Sequence, residues 1–233
     1  MLLSLSIHGQ NEDVEKDFSQ SKKYFEKGLS LNSSYEPLYS EMSHVYLGLS
    51  RNAFKHNSAP LDYTKLSSEL AEKGLAIDPS SPWDYQFIVE SSILEAKWKI
   101  LNKQNPLSSL QKAKRSIDQI IHITGQSATT YDEEAEIDYC QAQWNILNHQ
   151  QVQPLIDKGL KEVEIGMKMN SDSPELYHTR GRFHLLKADT LSDSPQRLAE
   201  VKIAQEDFKH AILLNSNLEK EYTKELQELQ KTL

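Results

Sequence analysis

The stretch Gly28-Leu29-Ser30-Leu31-Asn32-Ser33-Ser34-Tyr35-Glu36-Pro37-Leu38-Tyr39 returns as Gly74-Leu75-Ala76-Ile77-Asp78-Pro79-Ser80-Ser81-Pro82-Trp83-Asp84-Tyr85, and again as Gly166-Met167-Lys168-Met169-Asn170-Ser171-Asp172-Ser173-Pro174-Glu175-Leu176-Tyr177. A looser copy, Ile120-Ile121-His122-Ile123-Thr124 followed by a turn and Tyr131, lies between the last two. Each time a small or aliphatic residue, two apolar residues, a polar residue, a Ser/Pro-rich turn and a tyrosine keep their places. Tyr39, Tyr85, Tyr131, Tyr177 and Tyr222 stand 46, 46, 46 and 45 residues apart, so half of the ten tyrosines occupy one column. Self-similarity at a fixed period of this length marks a stacked repeat, in which each unit contacts only its neighbours.

The other columns define the elements. With Asn32, Asp78, Thr124, Asn170 and Asn215 as origin, Leu29, Leu75, Ile121, Met167 and Ile212 stand at −3, and Phe25, Ala71, Ile117, Val163 and Phe208 at −7. Phe18, Thr64, Leu110, Ile156 and Val201 follow at −14. Steps of three, four and seven trace one apolar stripe on a helix. Small residues interleave with it: Ser21, Ser67, Ala113, Gly159 and Ala204 at −11, and Gly28, Gly74, Gly166 and Ala211 at −4, where Ile120 is the exception. Glycine inside a helix costs roughly 0.5–1 kcal/mol relative to alanine, so its recurrence predicts close helix–helix contact. After each origin, Ser33 to Pro37, Pro79 to Pro82, Ser127 to Thr130 and Ser171 to Pro174 read as helix starts, with a hydroxyl cap and, in three of them, a proline in the first turn. This second helix runs through the tyrosine to Trp98 and Trp144 at +20. Pro60, Pro106, Pro154 and Pro195 open the next helix. Each repeat is therefore one helical hairpin, and the fold class is all-α.

The columns resemble those of the tetratricopeptide repeat (TPR), in which an aromatic opens helix A, a small residue follows four positions later, and helix B carries small, aromatic and small positions before a proline. The tyrosines match the opening aromatic, and Ser43, Ala135 and Gly181 match the small helix A position, which Val89 and Leu226 do not. The −11, −7 and −4 columns match helix B, and the closing proline survives as Pro79. A TPR has about 34 residues, so each hairpin here is about 12 longer. Hairpins of this length resemble the TPR arrays on the C-terminal side of bacterial serine/threonine protein kinase domains, through segments such as Gln104-Asn105-Pro106-Leu107 and Leu213 to Tyr222. The resemblance implies a right-handed superhelical solenoid forming a single domain over residues 1–233, with four to five hairpins. Register places Met1 and Leu3 on the late helix A positions of an upstream repeat, so the first repeat is expected to be incomplete and the chain a fragment of a larger protein. Residues 219–233 alternate charge around Tyr222, Leu226 and Leu229, the polar outer face a terminal repeat needs.

Composition limits the functional classes. At 233 residues and 38% hydrophobic, the chain can bury a core without disulfides or metal. The lone Cys140 falls in a helical pattern and reads as a buried structural thiol. No run approaches the ~18 apolar residues of a membrane span, and the opening Met1-Leu2-Leu3-Ser4-Leu5-Ser6-Ile7 is short for a signal peptide and lacks a basic flank; the expected location is the cytoplasm. A formal charge of −8 opposes binding to nucleic acid. Phosphate-binding loops, a His-Glu-x-x-His zinc pattern, paired cysteines and the kinase catalytic signatures are all absent. His178 and His184 lie six apart, off one helical face. Neither a metal nor a cofactor is expected, nor catalysis.

In TPR geometry the helix A positions line a concave groove. Carried onto this register, that implies Glu41 and His44 in the first repeat, Trp83, Gln86, Phe87 and Glu90 in the second, Asp132, Glu133, Glu136 and Tyr139 in the third, and His178, Thr179 and Arg182 in the fourth. A groove of acidic and aromatic side chains suits a basic or mixed-charge protein or peptide, and the expected function is a non-catalytic interaction or scaffold module. The alternative is a small-ligand receptor or enzyme using the groove as a pocket. For the dense acidic run Asp132 to Asp138 there is a plainer reading, in which carboxylates in the first turns of a helix complement its dipole and keep that face solvated.

Overall fold

The computed structural model describes residues 11–216, with side chains from residue 18 onward. Tyr222, the polar stretch 219–233 and the opening Met1 to Ile7 lie outside the described residues. Among the described residues there are nine α-helices and no strand: α1 (Asn11–Leu31), α2 (Glu36–Lys55), α3 (Leu61–Ile77), α4 (Pro82–Leu101), α5 (Leu107–Thr124), α6 (Ala128–Leu147), α7 (Gln153–Met169), α8 (Pro174–Thr190) and α9 (Ser194–Leu214). The chain divides into two compact units, Met1–Thr124 and Gly125–Leu233. In the first, α2 pairs with α3 and α4 with α5, and α2 also lies beside α4. In the second, α6 pairs with α7 and α8 with α9, and α6 lies beside α8. Adjacent helices thus form hairpins, and within each unit the first helix of one hairpin also meets the first helix of the next.

The polar column is where helix B stops. The backbone N–H groups of Asn32, Asp78, Asn170 and Asn215 donate to Gly28, Gly74, Gly166 and Ala211 four residues back, at 2.9, 2.9, 2.9 and 3.0 Å. In three repeats the side chain then accepts from the backbone two residues on: Asn32 Oδ1 from Ser34, Asp78 Oδ1 from Ser80 and Asn170 Oδ1 from Asp172, at 3.0, 3.0 and 3.2 Å. Asn and Asp are the residues that turn the chain this way, and Thr124 departs by remaining inside α5. Helix A begins with serine caps at Ser81, Ser127 and Ser173, the second of them a capping box with Thr130. It ends in a motif the residue types do not advertise. Asn57, Lys103 and His149, which share the +25 position, have φ of 55°, 56° and 55°. Each donates three residues back while its successor donates five residues back, as Ser58 does to Ala53, Gln104 to Lys99 and Gln150 to Asn145, at 2.8, 2.7 and 2.8 Å. This is the Schellman closure, usually built on glycine.

The glycine column makes the expected close contact. A Cβ on Gly28 would lie 2.8 Å from Leu38 Cδ1, and one on Gly166 2.9 Å from Leu176 Cδ2. At Gly74 it would collide with the Asp84 carboxylate, and at Gly159 with the ring of Phe183. The −4 glycine therefore seats the side chain at +6 of the next helix A. In the serine-bearing repeat the small columns bond instead: Ser43 and Ser67 donate to each other's backbone carbonyls at 2.9 Å in both directions. Ala71, Ala113, Ala135, Ala142, Ala204 and Ala211 are all buried, and so is Cys140.

The tyrosine column differs from expectation. A repeat column of this kind predicts Tyr85, Tyr131 and Tyr177 largely buried between successive hairpins, yet they and Tyr39 are half-buried. The column packs within its own hairpin, against the end of helix B. Tyr131 meets Gly166 of α7, and Tyr177 sits 4.2 Å from the His210 ring of α9 with Arg180 5.3 Å above it. A phenol at the rim keeps its hydroxyl wet, as Tyr39 shows by donating to the Ser33 carbonyl at 3.0 Å.

Candidate functional site

In the first unit, α2 and α4 present one continuous face. His44 and Phe87 stack with ring centroids 5.4 Å apart and planes 10° from parallel. Further along, Arg51 pairs with Glu90, which also accepts from the Gln86 amide at 3.1 Å. The two cross-helix contacts advance along both helices in the same sense, so α2 and α4 run parallel. Glu41 lies one turn before His44 and Trp83 one turn before Phe87, which puts both at the same end of the face. Trp83 is 68% exposed. Glu41 is also exposed and makes no ion pair among the described residues. That end of the face therefore leaves an indole on α4 and a carboxylate on α2 uncovered.

The same register in the second unit is closed. Arg182 donates to Glu136 at 2.6 Å, with its guanidinium 3.8 Å from the centroid of the Tyr139 ring. Tyr139 meets Phe183 edge-on at 5.4 Å and takes the Gln143 amide at 3.3 Å, while His178 leans on Phe208 at 5.5 Å. Glu133 and Glu136 are buried at 8% and 9% exposure. The solvated-helix-start reading of this acidic run is corrected for Glu133, Glu136 and Asp138, which are buried, Glu136 meeting Arg182 of α8 and Asp138 meeting Lys158 of α7. Burial pushes the Asp132 carboxyl up to about 7; a hydrogen bond with Thr179 opposes the rise, Glu136 and Glu175 add to it, and Arg182 reduces it. Arg182 and the carboxylates, placed on separate repeats by the register, form one internal network.

Several charged residues outside the expected set prove structural. Asp138 and Glu162 share Lys158, at 2.7 and 3.3 Å, and burial with the neighbouring Asp138 charge pushes Glu162 up to about 7. Arg180 grips Asp207 with two nitrogens, and Glu200 holds both His184 and Lys187, at 2.6 and 2.8 Å. These link α6 to α7 and α8 to α9. Their signal in the sequence is a charged residue inside an otherwise apolar helix pair, which periodicity alone does not separate from surface charge. In the first unit Asp84 is fully buried on α4, and its signal was legible: the +6 column reads Leu38, Asp84, Thr130 and Leu176.

Among the described residues no group of three or more His, Cys, Asp or Glu side chains is arranged to hold a metal ion, and no helix is long and apolar enough to cross a membrane. The chain matches no protein-family model and none of the curated proteins with which it was compared.

Proposed function

We propose that this chain is a non-catalytic protein-interaction module of TPR-like hairpins, a right-handed superhelical solenoid acting in the cytoplasm as part of a larger bacterial signalling protein such as a serine/threonine kinase. The repeat register and the hairpin pairing within each unit support the architecture. The kinase association rests on the two short segments quoted above, and an open reading frame joining a kinase domain to this chain is what tests it. The single observation that carries the binding reading is the exposed Trp83 one turn before the His44–Phe87 stack, with the exposed Glu41 at the same end of α2. An indole face attracts a cationic side chain, by about 0.5–1 kcal/mol at exposed sites and more when desolvated. A carboxylate nearby completes a seat for lysine or arginine. The partner is accordingly a peptide segment with a basic side chain at its centre, and α2 and α4 are the helices that hold it. In the second unit Arg182 occupies the corresponding place from within, so its acidic run serves stability.

An arrayed library of peptides with randomised basic positions tests this reading. The wild-type chain should select peptides carrying Lys or Arg, and both Trp83→Ala and Glu41→Lys should abolish that selection while leaving the helical circular dichroism spectrum unchanged. Selection without a basic residue, or selection that survives both substitutions, overturns it.

A further inference from the structure

In the repeat, the glycine of helix B forms a slot for the side chain at +6 of the next helix A. Leu38 fills it over Gly28, and Leu176 fills it over Gly166. Over Gly74 the slot holds the Asp84 carboxyl, with no exposed surface at all. Polar atoms do not belong in a space shaped for leucine unless something compensates them. Neither oxygen of Asp84 makes a well-formed hydrogen bond. The groups facing it are the Glu36 carboxyl and Ser40 hydroxyl of α2, and Ser81 of the turn before α4. From α3 the contact is the helix at Gly74, where a Cβ would strike the carboxylate. Glu36 is the titratable group acting on it.

A carboxyl with no exposed surface and no well-formed hydrogen bond is held there far more readily with its proton than as a carboxylate, because burial disfavours the charged form. We propose that the Asp84 carboxyl is a proton-operated latch: protonated, it lets the first turns of α4 seat against α2 and α3, and loss of its proton loosens them. The geometry makes the junction of three helices depend on one proton. Burial, with the Glu36 carboxyl adding to it, lifts Asp84 to about 7, which sets the working range near neutrality. The sign is the reverse of an ordinary ion-paired aspartate. Unfolded, Asp84 ionises near 4; folded, it keeps its proton up to about 7. The seat is therefore fully held below about pH 4 and progressively lost between there and neutrality. Trp83 stands on the same turn, so the latch acts where the exposed indole is mounted.

Hydrogen exchange of the full chain at several pH values between 5 and 8, corrected for intrinsic rates, reads the latch in peptides covering residues 82–93. Local readout is needed because Asp132 and Glu162 titrate in the second unit. In the wild type, protection of this segment should fall by about tenfold or more across the range, one decade for each unit of displaced pKa that the range covers. In Asp84→Leu, which supplies the side chain the slot holds in the sister repeats, protection should be independent of pH. Asp84→Asn, of nearly the same shape, should be equally flat if the leucine variant folds poorly, and Glu36→Gln, which removes a group that raises Asp84, should make the loss smaller and end it at lower pH. A wild-type profile with no pH dependence, or the same dependence in Asp84→Leu or Asp84→Asn, overturns the latch.

Discussion

The two units solve the same register in opposite ways. In the first, the α2/α4 face carries an aromatic stack with an indole and a carboxylate left uncovered at its end. In the second, the α6/α8 face is filled by Arg182, Glu136 and Tyr139, and Glu133 and Glu136 are buried. A repeat fixes where side chains stand and not what they meet, so identical columns yield an open face in one place and a closed network in another. The difference lies in one residue type at +12: His44 is an aromatic that stacks, Glu90 is paired by Arg51, and Arg182 is a cation able to neutralise what faces it.

The largest effects should fall where the second unit is closed. Arg182→Ala leaves buried carboxylates facing one another and should destabilise the second unit by about 3–5 kcal/mol, the usual result of removing one partner from a buried pair. Arg51→Ala, removing the cation of a pair whose arginine side chain is 54% exposed, should cost under about 1 kcal/mol. Urea unfolding followed by exchange in each unit compares them, and equal losses would erase the distinction.

Acidity sharpens it further. Asp132 and Glu162 both sit at about 7 in the folded chain, above their ordinary values, chiefly because they are buried. Their folded forms bind protons that the unfolded chain has released, so stability of the second unit should decrease as pH rises from about 4 to 7 and level off above, by a few kcal/mol in total. Asp132→Asn should remove part of that slope. A second unit whose stability rises over this range would contradict the burial argument.

The comparison also explains how much was legible in the sequence. Tyrosine spacing, the glycine column and the turn prolines were enough to place the helices, because each reports a local requirement: a cap, a close approach, a break. Even the burial of Cys140 followed from its place in the pattern. What the columns could not show is the partner across a hairpin. Arg182 and Glu136 are 46 residues apart in sequence and one salt bridge apart in space. The dense acidic run looked solvated because a charge count along the chain does not reveal which way the helix faces. The half-buried tyrosines were over-read for the same reason, since a column says that a position matters and leaves its neighbour open.

Where the units are alike, they should respond alike. Lys103 in the first and His149 in the second hold left-handed backbone at the end of helix A. Lys103→Gly and His149→Gly should each stabilise by up to about 1 kcal/mol, because glycine accepts this conformation without a Cβ clash. Thermal melting reads the gain, and a loss at either position would mean that the side chain does more than close the turn.

The central claim is that binding belongs to the open face and stability to the closed one. Calorimetric titration of a basic peptide selected by the wild-type chain tests it directly, using Trp83→Ala and Asp132→Asn side by side. Trp83→Ala should weaken binding by at least about 30-fold, the loss expected for a central aromatic anchor of about 2 kcal/mol, with its melting temperature unchanged. Asp132→Asn should bind as the wild type does. Weakening by Asp132→Asn with full affinity retained in Trp83→Ala would place the working surface on the second unit and contradict the account.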